Sequence, residues 1–239
     1  MSLPQSFART SQMPAPSSEG AKGNLGGKTM AQCVIFGAAE FDSLLLPIEK
    51  DDLIIAADGG LRHFEGAARQ PDVILGDFDS LGYVPQGAQV FPVEKDDTDV
   101  MLAVRHGLSR GFREFLIYGG MDGPRVDHTV ANFQTLAFLR ARDARGFLVG
   151  KTHMATVISN ETIAFSADCK GILSAFCLGR DATGVTIRGM QYPLEKGTLT
   201  ADLPLGVSNH FVGRKAEITV ENGSLLLIWE VKNGLPEIC

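Results

Sequence analysis

Residues 71–80 read PDVILGDFDS, a short apolar run that ends in glycine and is followed at once by two aspartates. A short apolar run bounded by turn-forming residues is typical of a strand that is buried on both faces, as in a parallel sheet. Asp77 and Asp79 are two positions apart, so an extended backbone would direct both carboxylates to the same side. The stretch therefore predicts a buried strand that brings acidic side chains to one edge of a sheet.

The same pattern recurs on both sides of this stretch. Two segments with apolar residues at helical spacing, 98–110 and 128–142, predict helices between further strands. Strands that alternate with helices favour an α/β domain with a parallel sheet, which we place at residues 31–151. The other predicted strands of this domain are CVIFGA (33–38), DLIIAAD (52–58), AQVFPV (88–93), EFLIYGG (114–120) and GFLVG (146–150).

The character of the sequence changes after about residue 151. Residues 152–239 contain short β-prone runs without helical spacing, which predicts an all-β sandwich domain. Asn222 and Gly223 lie between the last two runs, and this dipeptide is typical of a two-residue hairpin turn. At the other end of the chain, residues 1–30 are rich in Ser, Gly and Pro and have no period, which predicts a disordered extension.

The overall composition excludes several classes of protein. The 239 residues include 22 Lys and Arg against 28 Asp and Glu, a net charge of −6, which argues against a generic nucleic-acid binder. No stretch approaches the ~20 apolar residues that a membrane span needs, so we expect no membrane partner. The four cysteines form no C-x-x-C pair and are expected to be free thiols in a reducing compartment, which predicts a cytoplasmic location.

Aspartates are the most informative residues of the predicted α/β domain. The carboxyl ends of parallel strands meet at one edge of a sheet, where ligands bind. Crowded carboxylates favour a compensating cation, and Mg²⁺ is usually held by carboxylates together with substrate phosphates. One aspartate after a strand is an ordinary turn residue, but four acidic loops at one edge predict a metal–phosphate site. The eight aspartates are Asp58, Asp77, Asp79, Asp96, Asp97, Asp99, Asp122 and Asp127.

The sequence blocks that contain these aspartates, together with a later block in the predicted β domain, resemble the signature of the thiamine pyrophosphokinase family. They occur in the order and at the spacing of that family. The resemblance covers about residues 31–233, and it implies an N-terminal parallel-sheet α/β nucleotide-binding domain followed by an all-β sandwich domain. It also implies transfer of pyrophosphate from ATP to thiamine, and a homodimer with its active site between the subunits. The blocks are DGG (58–60), PDVILGDFDS (71–80), EKDDTD (94–99), GGMDGPRVDHTVANF (119–133) and VSN (207–209).

The resemblance also implies roles for individual residues at matching positions. It implies that Asp77, Asp79 and Asp99 bind the Mg²⁺ ion that accompanies the ATP phosphates. These three residues and Asp127 form the implied catalytic set. It also implies that Ser208 and Asn209 of the β domain bind thiamine. Trp229 either stacks on the pyrimidine, as a tryptophan of the last strand does in some members, or lies buried in the sandwich. The residues placed around ATP are Asp58, Gly59, Gly120, Arg125 and Asn132.

Two other functions are compatible with the same acidic loops. One is a pyrophosphokinase for a different alcohol, such as a hydroxymethyl pterin, which would not depend on Ser208 and Asn209. The other is a sensor that binds nucleotide or thiamine without catalysis. The complete set of acids argues against the sensor, because a pure binding module need not keep metal ligands.

Overall fold

The computed structural model describes residues 31–94 and 96–239, so the predicted extension at residues 1–30 lies outside the described residues. In the first half, the parallel strands stand in the order β4-β3-β2-β1-β5-β6. The predicted strands and both predicted helices are confirmed, although AQVFPV shortens to an exposed two-residue strand. The elements are β1 (Cys33–Phe36), β2 (Leu53–Ala57), a 3₁₀ helix (Asp58–Phe64), β3 (Val73–Gly76), β4 (Gln89–Val90), α1 (Asp99–Ser109), β5 (Glu114–Tyr118), α2 (Val126–Arg140) and β6 (Arg145–Val149).

The strand order explains which segments cover each face of the parallel sheet. From β1 to β4 the chain moves outward in one direction, and it then returns to place β5 on the other side of β1. Because parallel crossovers are right-handed, this reversal puts the early connections on one face and α1 and α2 on the other. Ile35 and Ile117 accordingly pack in the cluster of the two helices. Phe36 and Tyr118 pack in the opposite cluster. The reversal leaves a crevice at the carboxyl edge between β1 and β5.

The second half continues the same sheet. Its first strand, β7 (His153–Phe165), is antiparallel to β6, so the predicted boundary near residue 152 falls in the turn between two paired strands. The chain is thus a parallel part with helices and a following part of strands, joined in one mixed sheet of thirteen strands. The remaining elements are β8 (Ile172–Cys177), β9 (Ala182–Arg188), β10 (Leu194–Leu199), β11 (Asn209–His210), β12 (Ala216–Glu230), a 3₁₀ helix (Val231–Asn233) and β13 (Glu237–Ile238).

The longest strands of this part, β7 and β12, form its centre. They pair antiparallel along almost their whole length, and each half of β12 has a different second neighbour. The half at residues 217–222 pairs with β9. The half at residues 225–229 pairs with β8. The pair β7 and β12 is therefore flanked by β9 along one half and by β8 along the other. Buried apolar side chains of these strands belong to the same cluster as those of the parallel strands β1 and β2.

The predicted hairpin at Asn222 and Gly223 is wrong. Both sides of this dipeptide belong to β12 and pair with β7 in the same direction. Residues 221–223 lie opposite Asn160 alone, so the dipeptide forms a bulge rather than a reversal. Gly223 has φ of 93°, and a Cβ there would lie 2.7 Å from the Asp181 carbonyl oxygen. Of the two residues only Gly223 has a positive φ, and it lies within one continuous strand.

Trp229 lies in the core of the second half. Its side chain is completely buried, and its Nε1 donates a hydrogen bond to the Gly234 carbonyl oxygen at 2.9 Å. The rings of Phe147 and Phe165 meet it edge-on. Of the two alternatives for Trp229, the structure shows burial. Within residues 31–94 and 96–239, no helix has the length and apolar character needed to cross a membrane.

Candidate active site

Three aspartates meet at the carboxyl edge of the parallel sheet. Asp58 directly follows β2, and Asp77 and Asp79 follow β3, which is the neighbour of β2. One carboxylate oxygen from each residue lies within 4.8 Å of the others. Three negative charges this close repel one another unless a cation compensates them. The pairing of β2 with β3 therefore builds a group of ligands from two sequence blocks 19 residues apart.

Phe78 sets the orientation of the two aspartates beside it. Its side chain is 2% exposed, and its backbone has φ of 61°, which is uncommon for a bulky residue. With Phe78 anchored in the core, Asp77 and Asp79 flank it on the more open side. The Asp79 amide donates to Asp77 Oδ1 at 3.3 Å, which keeps the two residues in a tight turn.

Asp58 is held in the group by Ser80. The Ser80 hydroxyl donates to Asp58 Oδ2 at 2.6 Å, and Arg62 donates to the Ser80 carbonyl oxygen at 2.5 Å. The other carboxylate oxygen, Oδ1, is buried and has no hydrogen-bond partner among the described residues. A buried acceptor without a donor is costly, and a hard cation would satisfy it. The donor set therefore fits Mg²⁺.

The group differs by one member from the metal ligands predicted from sequence. Asp77 and Asp79 are in it, but its third member is Asp58, which was expected near ATP, rather than Asp99. Asp99 is the first residue of α1, where Thr98 caps the helix by accepting from the Met101 amide at 3.2 Å. Among the other acids of this block, Asp97 pairs with Arg105 at 2.7 Å.

Arg125, at the end of the loop between β5 and α2, forms an ion pair with Asp127 in the first turn of α2. Arg125 Nη2 lies 2.6 Å from Asp127 Oδ2, and both side chains are exposed. The hydrogen bond from Arg125 lowers the pKa of Asp127 below its ordinary value. The pKa of Arg125 is raised by the same hydrogen bond, and the charge of Asp79 adds to this effect. Arg125 thus stands in the field of the carboxylate group, and Asp127 is a weak proton acceptor.

Buried hydrogen bonds hold the loops around the carboxylate group. Asn132 is 4% exposed, and its Nδ2 donates to the Gly120 carbonyl oxygen at 2.8 Å, so it supports the β5–α2 loop from behind. His63 Nε2 lies 3.1 Å from the carbonyl oxygens of Gly37 and Ala39 and ties the 3₁₀ helix to the loop after β1. Burial lowers the pKa of His63, which favours a neutral ring that donates from Nε2.

The sequence analysis did not single out His63 or Ser80. For Ser80, its place directly after the acidic pair was an available signal, because a serine hydroxyl can donate to a neighbouring carboxylate. His63 gave no comparable signal, since its partners are backbone atoms of a distant strand end. Gly59, which was expected near ATP, is buried in the 3₁₀ helix beside Ser80.

Ser208 and Asn209 lie in the second half of the chain. Asn209 is 5% exposed, and its Oδ1 accepts from the amides of Tyr192 and His210, both at 2.9 Å. Its Nδ2 donates to the Tyr192 carbonyl oxygen at 2.7 Å, so the amide braces the surrounding loops. Ser208 has φ of 59°, and its amide donates to Ser174 Oγ at 3.0 Å.

The strand order separates these two residues from the aspartates of the same chain. Seven pairings lead from β11, which contains Asn209, to β2, which precedes Asp58. At roughly 4.8 Å per pairing, this is about 34 Å measured along the curved sheet. The structure thus brings together Asp58, Asp77 and Asp79, with Arg125 nearby, whereas Ser208 and Asn209 belong to a remote part of the sheet.

Two family models match the chain, one on each side of the turn between β6 and β7. Residues 45–148 match the model described as thiamin pyrophosphokinase, catalytic domain. Residues 157–227 match the model described as thiamin pyrophosphokinase, vitamin B1 binding domain. The first match contains the carboxylate group and Arg125, and the second contains Ser208 and Asn209.

Individual relatives agree with these matches. The chain is 25% identical over 189 residues to a thiamine pyrophosphokinase of Bacillus subtilis (strain 168), covering 75% of this chain and 88% of that protein. A crystal structure of thiamine pyrophosphokinase from Bacillus subtilis is similar with a TM-score of 0.69 at 23% identity, covering 83% of this chain and 98% of the other. The thiamin pyrophosphokinase from Candida albicans gives a TM-score of 0.65 at 14% identity, covering 94% of each chain. At these identities the two solved structures establish the fold.

Proposed function

Because the chain belongs to the thiamin pyrophosphokinase family, we propose that it transfers a pyrophosphoryl group from ATP to the hydroxyl of thiamine, giving thiamine diphosphate and AMP. The observation that carries this proposal is the group of three carboxylates at the carboxyl edge of the parallel sheet, after β2 and β3 and next to the crevice between β1 and β5. In open α/β sheets, this crevice is the usual place for a nucleotide. A protein with net charge −6 also needs a cation to hold a polyphosphate at such a site.

We further propose that Asp58, Asp77 and Asp79 hold Mg²⁺. The three close carboxylates and the unpartnered Oδ1 of Asp58 support this assignment. The ion would supply positive charge to the phosphate oxygens of ATP, in addition to that of Arg125. Asp99, which the family resemblance places among the ligands, stays a candidate for a further contact from the start of α1.

For this reaction the protein must mainly align the two substrates and neutralise the negative charge of the phosphates. The thiamine hydroxyl oxygen forms a bond to the β-phosphorus, the bond from that phosphorus to the bridging oxygen of AMP breaks, and the hydroxyl proton is released. Arg125 suits the phosphates because its guanidinium can donate two parallel hydrogen bonds. To do so it must give up its pairing with Asp127 at least in part. While that pairing lasts, the lowered pKa of Asp127 makes it a poor acceptor for the released proton.

The active site is proposed to lie between two copies of the chain. The separation of Ser208 and Asn209 from the aspartates along the sheet supports a site completed by a partner. Exposed apolar side chains support it as well, because large apolar patches often mark interfaces. Among the residues that the structure describes, eleven large hydrophobic residues are exposed: six lie between β3 and α1 or at the start of α2, and five lie in the segment 192–212, which contains Ser208. They are Tyr83, Val84, Val90, Val93, Val126 and Val130 in the first patch, and Tyr192, Leu203, Leu205, Val207 and Val212 in the second.

A two-fold homodimer can satisfy both patches at once. In such a dimer the first patch of one copy meets the second patch of its partner, and the same contact is repeated by symmetry. Each of the two sites would then combine the carboxylates of one chain with Ser208 and Asn209 of the other. A cytoplasmic location is part of the proposal, supported by four free cysteines, which suit a reducing compartment. Cell fractionation would test that part separately.

A coupled assay of AMP release tests the proposed reaction. AMP should form from ATP only when thiamine is present, thiamine diphosphate should appear in equal amount, and EDTA should abolish both. The assay should include a hydroxymethyl pterin as a second alcohol. Formation of ADP with thiamine monophosphate would contradict pyrophosphoryl transfer, and turnover of the pterin alone would identify a different substrate. Binding of thiamine and nucleotide without turnover would indicate a sensor.

A further inference from the structure

Asp122 is one of the eight aspartates at the carboxyl edge, but its carboxylate has a different partner. Its Oδ2 accepts a hydrogen bond from the Lys151 backbone amide at 2.7 Å. The same oxygen lies 2.4 Å from the place that a Cβ at position 150 would take, so Gly150 leaves room for the Asp122 carboxylate. Asp122 has φ of 62°, a conformation that aspartate adopts more readily than most residues. Its side chain thus joins the β5–α2 loop to the turn between β6 and β7.

The turn that receives Asp122 is well fixed. The Gly150 amide donates to the His153 carbonyl oxygen at 2.9 Å, which closes the turn between two paired strands. The Val231 amide donates to the Thr152 carbonyl oxygen at 2.9 Å, which ties the turn to the end of β12. Val149 just before the turn is completely buried. The hydrogen bond from the Lys151 amide therefore holds Asp122 in a fixed position relative to the sheet.

Asp122 also makes the last side-chain hydrogen bond of the β5–α2 loop before Arg125. The loop is held at Gly120 by the buried amide of Asn132, and Met121 is 6% exposed in the cluster under the helices. After Asp122, the next side-chain hydrogen bond along the described chain is that of Arg125 itself. The helix that begins at Val126 has no side-chain cap at Arg125, and the helix start contacts that residue through its ion pair with Asp127 and a long hydrogen bond, 3.4 Å, from the Thr129 amide to its carbonyl oxygen.

We propose that Asp122 is a positioning residue: by accepting from the Lys151 amide, it sets the place of Arg125 beside Asp79 and thereby the binding of a nucleotide polyphosphate. This inference rests on the proposed function, because it assigns Arg125 to the phosphates of ATP. It requires an acceptor at position 122, not a negative charge. A role for Asp122 in holding the metal ion would require the charge, so the two roles predict different results for an amide in its place.

Three substitutions separate the hydrogen bond from the backbone conformation. Asp122→Asn keeps an acceptor oxygen and tolerates positive φ. Asp122→Gly tolerates the conformation but removes the acceptor, and Asp122→Ala removes the acceptor and strains the backbone. Asp143 offers a matched control, because it is an exposed aspartate with φ of 52° in the turn between α2 and β6, at the opposite edge of the sheet. Asp143→Gly and Asp143→Ala reproduce the conformational effects away from the site.

We expect Asp122→Gly to raise KM for ATP by about 3- to 10-fold, the scale of one lost hydrogen bond, with kcat changed much less. The Kd of ADP measured with Mg²⁺ should rise by a similar factor, and the Lys151 amide should exchange its hydrogen faster. Asp122→Asn should stay close to the unsubstituted protein in all three measurements. Asp143→Gly should leave KM and the Lys151 amide unchanged, and its melting temperature shows how much the conformational change alone contributes.

Two results would overturn the inference. If Asp122→Asn is impaired as severely as Asp122→Gly, the charge is needed and Asp122 acts on the metal ion or substrate directly. If Asp122→Gly binds ADP like the Asp143→Gly control, the hydrogen bond to Lys151 does not position Arg125. Failure of the proposed function is distinguishable from both, because it removes AMP formation by the unsubstituted protein. The ADP affinity and the exchange of the Lys151 amide still decide the role of Asp122 in that case.

Discussion

Strained residues are concentrated in the candidate site. Of the seven described non-glycine residues with positive φ, four lie in blocks that carry site residues, namely Asp58, Phe78, Asp122 and Ser208. A residue held in this conformation costs on the order of 1–3 kcal/mol and persists only where its surroundings enforce it. Here the enforcing contacts are visible: Ser80 on Asp58, the buried ring of Phe78, and the Lys151 amide on Asp122. The site is therefore preorganised at the expense of local stability.

The two aspartates of the GDFDS block give the sharpest prediction at this scale. Asp77→Asn and Asp79→Asn should each lower kcat by at least roughly 10²-fold, the loss seen when one electrostatic stabiliser is removed. The melting temperature without Mg²⁺ should hold or rise, because each change removes one of three mutually repelling charges. AMP release and thermal unfolding measure the two effects.

Asp97→Asn is the control for these variants. Asp97 lies on the same edge but pairs with Arg105 outside the carboxylate group. We expect it to keep kcat within a few-fold of the unsubstituted protein. Near-normal activity of Asp77→Asn and Asp79→Asn, together with a lowered melting temperature, would show that these aspartates only stabilise the turn.

The grouping of side chains could be predicted from sequence only where the neighbours in sequence are also the neighbours in space. The proximity of Asp77 and Asp79 could be predicted because one short turn carries both. The place of Asp58 beside them depends on the pairing of β2 with β3 and on Ser80, which no local pattern reveals. The inward orientation of Asn209 also depends on a distant partner, the backbone of Tyr192.

At the scale of elements, a group of half-buried ions joins the amino edge of the parallel sheet to β7. Glu161 of β7 contacts Arg140 at the end of α2, at 3.2 Å, and Arg145 at the start of β6. Glu114, the first residue of β5, lies beside Arg145 in the strand register. Burial raises the pKa of Glu114, although Arg145 and Arg140 oppose this effect. The group therefore contains a carboxyl that is less stable as an anion in the folded protein than in water.

Glu114→Gln should reveal this through the pH dependence of stability. Below the pKa of Glu114 in the unfolded chain, both states hold the proton and the variant should resemble the unsubstituted protein. As pH rises toward the raised pKa of the folded state, the unfolded chain loses its proton first, so the unsubstituted protein loses stability relative to the variant. The free energy of unfolding, measured in urea from about pH 4 to about pH 8, should shift in favour of Glu114→Gln.

An exposed glutamate serves as the comparison for this measurement. Glu195 pairs with Arg188 at the surface of β10, where both side chains are 62% exposed. Glu195→Gln should show a much smaller pH-dependent difference, because solvent screens surface pairs. A constant difference for Glu114→Gln, or one that favours the unsubstituted protein at higher pH, would contradict the prediction.

Elements whose pattern is local were predicted well, and those that depend on pairing were not. Both helices were placed to within two residues at each end, because a helix carries its period in its own sequence. The strand at 88–93 shortened because its neighbours cover little of it. The predicted hairpin is wrong because a dipeptide carries only a local turn preference, whereas the pairing with β7 decides whether the chain reverses or continues.

At the scale of the whole molecule, mixing inactive subunits tests whether the aspartates of one chain and Ser208 and Asn209 of another form one site. Asp79→Asn subunits are combined with Asn209→Ala subunits, and with Ser208→Ala in parallel because the Asn209 amide braces its own loops. If each site uses two chains, a heterodimer holds one site with both changes and one with neither. Random pairing at equal amounts should then restore about a quarter of the full activity.

Asp77→Asn mixed with Asp79→Asn is the control, since both changes fall in the same half and no intact site can form. Subunit exchange must be shown independently, for example with differently labelled chains. Exchange without recovery of activity in the Asp79→Asn and Asn209→Ala mixture would place the site within one chain and leave the reaction itself unaffected.

The position of β12 has a consequence for the order in which the protein can assemble during synthesis. Residues 216–230 are synthesised after β7, β8 and β9, yet they lie between β7 on one side and β8 and β9 on the other. Until they emerge, those strands lack their common neighbour, whereas β1, β2, β3, β5 and β6 already have their partners within residues 31–149. The nascent chain can therefore complete its parallel sheet before the second half, whose strands keep open edges until β12 has been synthesised.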